Sequence, residues 1–158
     1  MNHKSPEWWD MFFLGMAKYT SQASKDPSTK VGAVIANGKH LVSVGFNGFP
    51  EGVDDDPELL LNKEYKYSVI IHGEINAILA TNSILLGTCL YTFPFMPCSR
   101  CASIIIQKGI KRIVSVKNDN PRWGADQISM DNFKKAGVEL VIYDELIELS
   151  EFDKHTKI

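Results

Sequence analysis

The sequence predicts a three-layer α/β/α domain, in which helices cover both faces of a mixed sheet of about five strands. Two observations indicate this fold class. Near the N-terminus, two β-like stretches are joined by an Asn-Gly turn, which is typical of an antiparallel hairpin. In the second half, strands alternate with helices, which favours parallel strands joined by right-handed crossovers. Because 158 residues suit one domain, we assign residues 1–158 to a single domain.

The first part of the chain predicts a helix, a loop and the hairpin. Trp8–Ala17 carries aromatic side chains at helical spacing, and we expect these side chains in the core. Ser24–Thr29 is rich in turn residues, and Pro27 disfavours helical dihedrals in the residue before it. The hairpin strands are predicted at Val31–Ile35 and Leu41–Phe46.

The rest of the chain predicts alternating elements after a polar, acidic insertion. In chain order these are a helix at Leu59–Tyr67, a helix at Glu74–Ala80, a strand at Leu90–Phe93, a helix at Cys98–Gln107, a strand at Lys111–Val116, a helix at Asp126–Ala136, a strand at Val138–Tyr143 and a helix at Asp144–Phe152. This order places the parallel strands in the C-terminal half of the sheet.

Composition and charge exclude several classes of partner. A net charge of −2 and a pI of about 6.1 provide no basic surface for a nucleic-acid polymer. The apolar stretch Trp8–Ala17 is too short to span a bilayer and is interrupted by Asp10. Three cysteines cannot form a fully paired disulfide framework. We therefore expect a cytoplasmic protein with a small-molecule ligand and no membrane partner.

The stretch from His72 to Cys101 carries a candidate metal site. One imidazole, from His72, and two thiols, from Cys98 and Cys101, are a ligand set that suits zinc. Three protein ligands leave the fourth tetrahedral position open, as in catalytic zinc sites. Glu74, two residues beyond the histidine, can reach a water in that position without binding the metal. The order H-x-E followed by P-C-x-x-C is the signature of zinc-dependent deaminases, although each half alone is a weak signal.

The chain resembles the deoxycytidylate (dCMP) deaminases of the cytidine deaminase superfamily from Ser24 to about Leu140. The residues that carry the resemblance are Ser24–Thr29, Val31–Ala33, Gly45–Pro50, His72–Ile78 and Pro97–Ala102. The zinc motif is shared across the superfamily, whereas Ser24–Thr29 and Gly45–Pro50 narrow the choice to the deoxycytidylate branch. The resemblance implies that the three-layer domain has the cytidine-deaminase-like fold.

The implied activity is hydrolytic removal of the 4-amino group of dCMP, which yields ammonia and dUMP for thymidylate synthesis. Zinc lowers the pKa of a bound water from about 15.7 towards neutrality. Glu74 would take the proton of that water, donate it to N3 of the base, and later protonate the leaving amine. The segment between Pro50 and His72 lacks the arginine pair found in some relatives, so dCTP stays open as a second substrate.

The resemblance also implies contacts to the rest of the substrate. Lys25 matches a basic residue that could meet the 5′-phosphate as a point charge, although a solvated loop lysine is a close alternative. Asn47 matches an asparagine that contacts the deoxyribose, although asparagine between glycines is also common in turns. Backbone groups at Gly73, Phe93 and Pro94 are implied to hold the pyrimidine; most relatives have alanine in place of Gly73.

The loop before the predicted helix at Asp126–Ala136 carries two further candidates. Arg122 and Trp123 in this loop are positioned to close over a substrate. For Trp123, a packed indole is the more common role.

Many relatives are hexamers that dCTP activates and dTTP inhibits, through a second nucleotide site that uses magnesium. By resemblance, this chain would form a homohexamer with an allosteric site at Gly45, Asn47, Gly48, Asp54 and Asp55. Three consecutive aspartates, ending at Asp56, are equally typical of a solvated loop.

Two functions of other classes stay open. A deaminase of tRNA adenosine or of single-stranded polynucleotide would share the zinc motif, but it should carry a basic groove with aromatic side chains. A non-catalytic zinc-binding module would also keep the three ligands. Glu74 argues against that module, because a structural zinc site needs no proton shuttle.

Overall fold

A five-stranded mixed sheet forms the centre of the computed structural model, which describes residues 3–152. The strands are β1 (Gly32–Asn37), β2 (His40–Phe46), β3 (Cys89–Phe93), β4 (Arg112–Val116) and β5 (Glu139–Tyr143), in the spatial order β2-β1-β3-β4-β5. β1 is antiparallel to both β2 and β3, whereas β3, β4 and β5 are parallel to one another. The predicted mixed sheet is confirmed. Residues 1–2 and 153–158 of the predicted single domain lie outside the described residues.

Helices cover both faces of this sheet. They are α1 (Pro6–Ser21), α2 (Pro57–Leu61), α3 (Lys63–Val69), α4 (Gly73–Leu79), α5 (Ser99–Gln107), α6 (Gln127–Lys135) and α7 (Leu149–Phe152). On one face, Phe13 and Leu14 of α1 pack with Val34 of the sheet. On the other face, Ala77 of α4 and Ile105 of α5 join the core cluster. The predicted three layers are therefore confirmed. Within residues 3–152, no helix is long and apolar enough to cross a membrane.

Helix α1 extends beyond its predicted bounds at both ends. Ser5 caps it, because the Ser5 Oγ accepts a hydrogen bond from the Trp8 amide at 3.1 Å, and Pro6 suits the first helical position. A Cβ at Gly32 would meet the backbone of Ala17 and Ser21, so only glycine lets β1 lie this close to α1. The helix is therefore fixed against the strand that leads away from the predicted Ser24–Thr29 loop.

The predicted hairpin of β1 and β2 is present, but its turn is shorter than predicted: the strands extend to Asn37 and from His40, which leaves Gly38 and Lys39 as the turn. Asn37 pairs with His40 across it, and Gly38 has a φ of 59°. A positive φ at the first turn position matches the twist of the flanking strands, and glycine adopts it without strain.

The predicted helix at Leu59–Tyr67 is wrong in detail, because the structure has two short helices there. Asn62 has φ −77° and ψ 101°, an extended conformation that ends α2. Its side chain then accepts a hydrogen bond from the Tyr65 amide at 3.1 Å and caps α3. Because the backbone is extended at Asn62, α3 does not continue the axis of α2.

The predicted C-terminal helix at Asp144–Phe152 is also too long, because only Leu149–Phe152 is helical. Leu146 and Ile147 pack against the apolar cluster around α1, and the Ile147 amide donates to the Met11 sulfur at 3.4 Å. Burial of these two neighbouring side chains accounts for the non-helical segment.

Gly45 sets the distance between β2 and α4. A Cβ at this position would meet the backbone of Ala77 and of Gly73, both in α4. Because the colliding atoms belong to a helix backbone, a larger residue must displace the helix. Gly45 thus helps to position the helix that begins immediately after His72.

We expect Gly45→Ala to lower the free energy of unfolding by about 1–3 kcal/mol, the usual cost of overpacking a close contact. Urea unfolding followed by circular dichroism measures this change. Gly48→Ala is the matched control, since a Cβ there meets no atom of residues 3–152 within 4 Å. We expect the control to stay within about 0.5 kcal/mol of the parent protein. Equal losses in the two variants would contradict the role of Gly45.

Candidate active site

His72, Cys98 and Cys101 converge on one point. The Nδ1 atom of His72 lies 3.5 Å from the Cys98 sulfur and 3.3 Å from the Cys101 sulfur, and all three ligand atoms lie within 4.8 Å of one another. His72 and Cys98 precede α4 and α5, respectively, and neither side chain caps its helix. Both side chains are therefore free to face the same point. One nitrogen and two sulfurs suit a borderline-soft divalent cation such as zinc, so the donor set fits the predicted metal.

The two cysteines differ in their protonation. Hydrogen bonds from the Cys101 thiol and then from His72 lower the pKa of Cys98 to about 4. The bond that Cys101 donates to Cys98, together with burial, raises the pKa of Cys101. Without a metal, Cys98 is therefore the more acidic thiol of the pair. A divalent cation bound here would require both sulfurs to be thiolates, so its binding would release the remaining thiol proton.

The Glu74 carboxylate lies beside this cluster and is almost fully buried, with 4% of its surface exposed. Its Oε2 atom has no hydrogen-bond partner within residues 3–152. Burial raises the pKa of Glu74, and the charge of nearby His72 partly opposes that increase. A buried carboxylate oxygen needs a partner, so this atom marks the place where a water or a substrate binds.

An open cavity of about 130 Å³ leads to these residues. Its wall includes His72, Glu74 and Cys98, and its apolar part includes Ile70 and Met96. The cluster and the Glu74 carboxylate are therefore accessible from the solvent through this cavity.

Asn47 lines the cavity and also braces the loop beside it. Its Oδ1 accepts from the Val31 amide at 2.8 Å, and its Nδ2 donates to the Thr29 carbonyl at 2.9 Å. The Ser24 hydroxyl donates to the Asn47 carbonyl at 2.9 Å. These bonds connect the Ser24–Thr29 loop to the end of β2. Contact of Asn47 with the deoxyribose stays a prediction. The Asn47 carboxamide would have to bind the sugar while it keeps its bonds to Val31 and Thr29.

Lys25 lies outside the cavity wall. Its side chain is 69% exposed, and its Nζ lies 2.6 Å from Asp55 Oδ2. Asp56, the next residue in the acidic cluster, accepts from the Glu58 amide at 2.8 Å and caps α2. The structure therefore gives Lys25 and two of the aspartates partners within the chain. Phosphate binding by Lys25 and a regulatory site that includes Asp54 and Asp55 stay predictions.

Gly48 braces the segment before His72. Its amide donates to the Ile71 carbonyl at 3.1 Å, and the Ile71 amide donates back to the Gly48 carbonyl at 2.9 Å. Gly45, the other predicted allosteric glycine, contacts the backbone of α4 as described above. The Gly45–Pro50 stretch thus supports the metal-binding helix from one side.

The residues predicted to hold the pyrimidine lie close to the cavity. Gly73 is buried at the start of α4, directly between His72 and Glu74. Phe93 is the last residue of β3 and Pro94 follows it. The residues between Phe93 and Pro97 that line the cavity are Phe95 and Met96. The structure therefore brings the end of β3 to the site. Base contacts from Gly73, Phe93 and Pro94 stay predictions.

The N-terminus of α6 holds the metal-binding turn in place, which the sequence did not predict. Asp126 Oδ2 accepts from the Ser99 amide, and its Oδ1 accepts from the Ser129 amide, both at 2.9 Å. The Ser129 hydroxyl donates to the Pro97 carbonyl at 2.7 Å. These three bonds fix the backbone on both sides of Cys98. The residues near Asp126 in the sequence give no sign of these bonds, because an aspartate before a helix is an ordinary N-cap.

Arg122 and Trp123 line the cavity as part of one aromatic cluster. The Arg122 guanidinium lies 4.6 Å from the centre of the Tyr67 ring and 4.7 Å from the Trp123 ring. Tyr67 and Trp123 themselves meet edge to face at 6.0 Å. The packed indole expected from the sequence is therefore present, and closure of the loop over a substrate stays a prediction.

Lys66 is a second cation of the cavity wall, and the sequence did not single it out. Its side chain is only 4% exposed, and its Nζ lies 3.1 Å from Asp26 Oδ1. Lysines in polar helical segments are usually exposed, so spacing and composition gave no sign of this burial. Asp26 belongs to the predicted Ser24–Thr29 loop, which therefore contributes a carboxylate to the cavity.

Comparisons with known proteins find relatives over most of the chain. The family model of the cytidine and deoxycytidylate deaminase zinc-binding region matches residues 7–117. An "uncharacterized deaminase in luxG 3′ region" of Aliivibrio fischeri is 43% identical over 136 residues, which are 84% of this chain and 91% of that protein. The deoxycytidylate deaminase of Mus musculus is 39% identical over 139 residues, which are 82% of this chain and 76% of the mouse protein.

A solved structure shares the fold. The dCMP deaminase from the cyanophage S-TIM5, in complex with dCMP and dUMP, matches with a TM-score of 0.69 over 89% of this chain and 99% of that chain. The two sequences are 22% identical, so the likeness concerns the fold. The predicted arrangement of a mixed sheet between helix layers is the one found in that protein.

Proposed function

The chain belongs to the cytidine and deoxycytidylate deaminase family, and we propose that it hydrolyses dCMP to dUMP and ammonia. The observation that supports this function is the unpartnered, buried Glu74 oxygen beside the cluster of His72, Cys98 and Cys101. A proton shuttle and a three-ligand metal site are the two parts that hydrolytic deamination requires. The relatives named as deoxycytidylate deaminases support the choice of a cytosine nucleotide.

The proposed cofactor is one zinc ion held by His72, Cys98 and Cys101. When bound there, zinc supplies Lewis acidity, which lowers the pKa of a water from about 15.7 towards neutrality. Three protein ligands suit a catalytic role, because they leave one coordination position open. The Asp126 hydrogen bonds hold the Cys98 turn in position for this role.

Glu74 moves the protons in the proposed reaction. Its carboxylate takes one proton of the attacking water and delivers it to N3 of the cytosine as the C4–O bond forms. It then takes the second proton from the new C4 hydroxyl and passes it to the amine as the C4–N bond breaks. Burial suits this task, because the raised pKa of Glu74 brings its affinity for the proton closer to that of the reacting groups. The apolar side chains of Ile70 and Met96 limit the water around the base.

Several finer features of the proposal follow from the family. They are acceptance of dCTP as well as dCMP, control by dCTP and dTTP with Mg²⁺, assembly into a hexamer, a cytoplasmic location, and supply of dUMP for thymidylate synthesis. Each stays a prediction for this chain.

A substrate panel tests the proposed function. We expect ammonia release from dCMP, and a lower rate or none from cytidine, CMP and a short single-stranded DNA. The zinc-loaded protein would be incubated with each of these compounds, and separately with dCTP as a candidate substrate. Each incubation would be repeated with dCTP or dTTP added as a candidate effector. Turnover of the oligonucleotide alone would favour a nucleic-acid deaminase. No turnover of any compound, with zinc bound, would favour a non-catalytic zinc-binding module.

A further inference from the structure

The cavity wall contains a buried ion pair between Asp26 and Lys66. Each side chain is 4% exposed, and the Lys66 Nζ lies 3.1 Å from Asp26 Oδ1. The two residues are 40 positions apart in the sequence, in the loop after α1 and in α3. The same cavity reaches His72 and Glu74, so a ligand bound at those residues would also meet the ion pair.

Asp26 accepts hydrogen bonds from backbone amides as well as from Lys66. The Asp26 Oδ1 atom already accepts from the Ser28 amide at 2.8 Å and from the Thr29 amide at 3.2 Å. These two bonds form a turn that holds the loop without the ammonium group. Lys66 thus balances the charge of a buried carboxylate, whereas the turn itself is held by the two amides.

The Lys66 ammonium group has hydrogen-bonding capacity left over. It carries three N–H donors, and its one hydrogen-bond acceptor within residues 3–152 is Asp26 Oδ1. A buried ammonium group loses its hydration, so unused donors in a cavity wall favour an anionic ligand there. Arg122 adds a second positive charge to the same wall.

We propose that Lys66 binds the 5′-phosphate of the nucleotide and thereby selects nucleotides over nucleosides, an inference that rests on the proposed deamination of dCMP. A phosphate oxygen accepts from the free N–H groups of Lys66, while the Asp26 carboxylate holds the ammonium in place. Lys66 thus takes the role that the sequence suggested for Lys25. The exposed Lys25 side chain faces Asp55 and lies outside the cavity wall.

Kinetics on two substrates test this inference. For Lys66→Gln, we expect kcat/KM for dCMP to fall about 10- to 100-fold, which is the usual loss for a charge-assisted hydrogen bond. For deoxycytidine, which has no phosphate, we expect a change of less than about 3-fold, because the base and the reacting atoms keep their contacts. Calorimetric titration with dUMP and with deoxyuridine should show the same difference without any turnover.

Two lysine variants accompany Lys66→Gln. Lys63→Gln is the matched control, because Lys63 is an exposed lysine on the same helix. We expect it to leave kcat/KM unchanged for both dCMP and deoxycytidine. Lys25→Gln tests the rival residue, and a dCMP-specific loss in that variant instead of Lys66→Gln would overturn the inference. If Lys66→Gln unfolds below the assay temperature, Lys66→Met replaces it, because methionine keeps the apolar part of the side chain. Its kcat/KM values for dCMP and deoxycytidine are then compared in the same way.

Failure of the inference differs from failure of the proposed function. An active parent protein whose Lys66 variants lose dCMP and deoxycytidine turnover equally would assign Lys66 a structural role and overturn the inference alone. A zinc-loaded parent protein without activity on dCMP would overturn the proposed function, and the inference with it.

Discussion

Glu74→Gln is expected to lower kcat for dCMP by about 10²–10⁴-fold, the usual contribution of a positioned general acid and base. Glutamine has nearly the shape of glutamate but cannot carry a proton between the water, the base and the leaving amine. The buried position of Glu74 therefore stays filled, and the three metal ligands are unchanged. Ammonia release under saturating dCMP measures kcat, and metal analysis of the same sample measures zinc content.

Glu64→Gln is the control for this variant, since Glu64 is an exposed carboxylate in the first turn of α3. We expect it to keep both the zinc content and the turnover of the parent protein. Near-normal turnover in Glu74→Gln would remove Glu74 from the proposed mechanism. Loss of zinc from that variant would instead show that Glu74 helps to hold the metal.

Cys101→Ala is expected to abolish both tight zinc binding and turnover. The parent protein should hold about one zinc ion per chain, and a site reduced to two protein ligands should lose it on dialysis against a mild chelator. Cys89→Ala is the matched control, because Cys89 lies in β3 and packs with the cluster around α1. We expect that variant to keep its metal and its activity. Full metal content in Cys101→Ala would contradict the assigned ligand set.

The affinity for zinc should fall as the pH falls. The hydrogen bond to Cys98 raises the pKa of His72, and the bond from Cys101 to Cys98 raises the pKa of Cys101. Both ligands therefore hold protons more strongly than ordinary side chains, and zinc must displace those protons to bind. A chelator competition at several pH values between about 6 and 8 checks the sign. An affinity that is independent of pH would contradict this description of the site.

Elements with strong local signals were predicted well. The Asn-Gly turn, the alternation of strands and helices, and the glycines of Gly45–Pro50 are features of neighbouring residues, and the structure has the hairpin and the mixed sheet they indicate. Boundaries were less well predicted where packing decided them. Asn62 divides one predicted helix into two, and Leu146 and Ile147 leave the helix to contact the core.

The candidate metal site was predicted from the sequence because its chemistry is encoded in residue types at short spacing. His72 and Glu74 are two positions apart, and Cys98 and Cys101 are three positions apart, so each pair lies at the start of one helix. The approach of the two helices to one point was an inference from the need of one cation for all three ligands. The structure shows that approach directly, with all ligand atoms within 4.8 Å.

By itself, the sequence predicted the fold class, the three candidate ligands and the candidate proton shuttle, because these depend on local pattern and on the chemistry of the side chains. Only the tertiary structure decided which lysine faces the cavity. Lys25 and Lys66 both lie in polar stretches, and nothing local distinguishes them. Lys66 is buried because α3 packs over a loop 40 residues earlier in the chain, and the Asp26 carboxylate in that loop stabilises its charge. Burial of a polar side chain depends on distant packing, so it follows from the fold and not from the residues beside it.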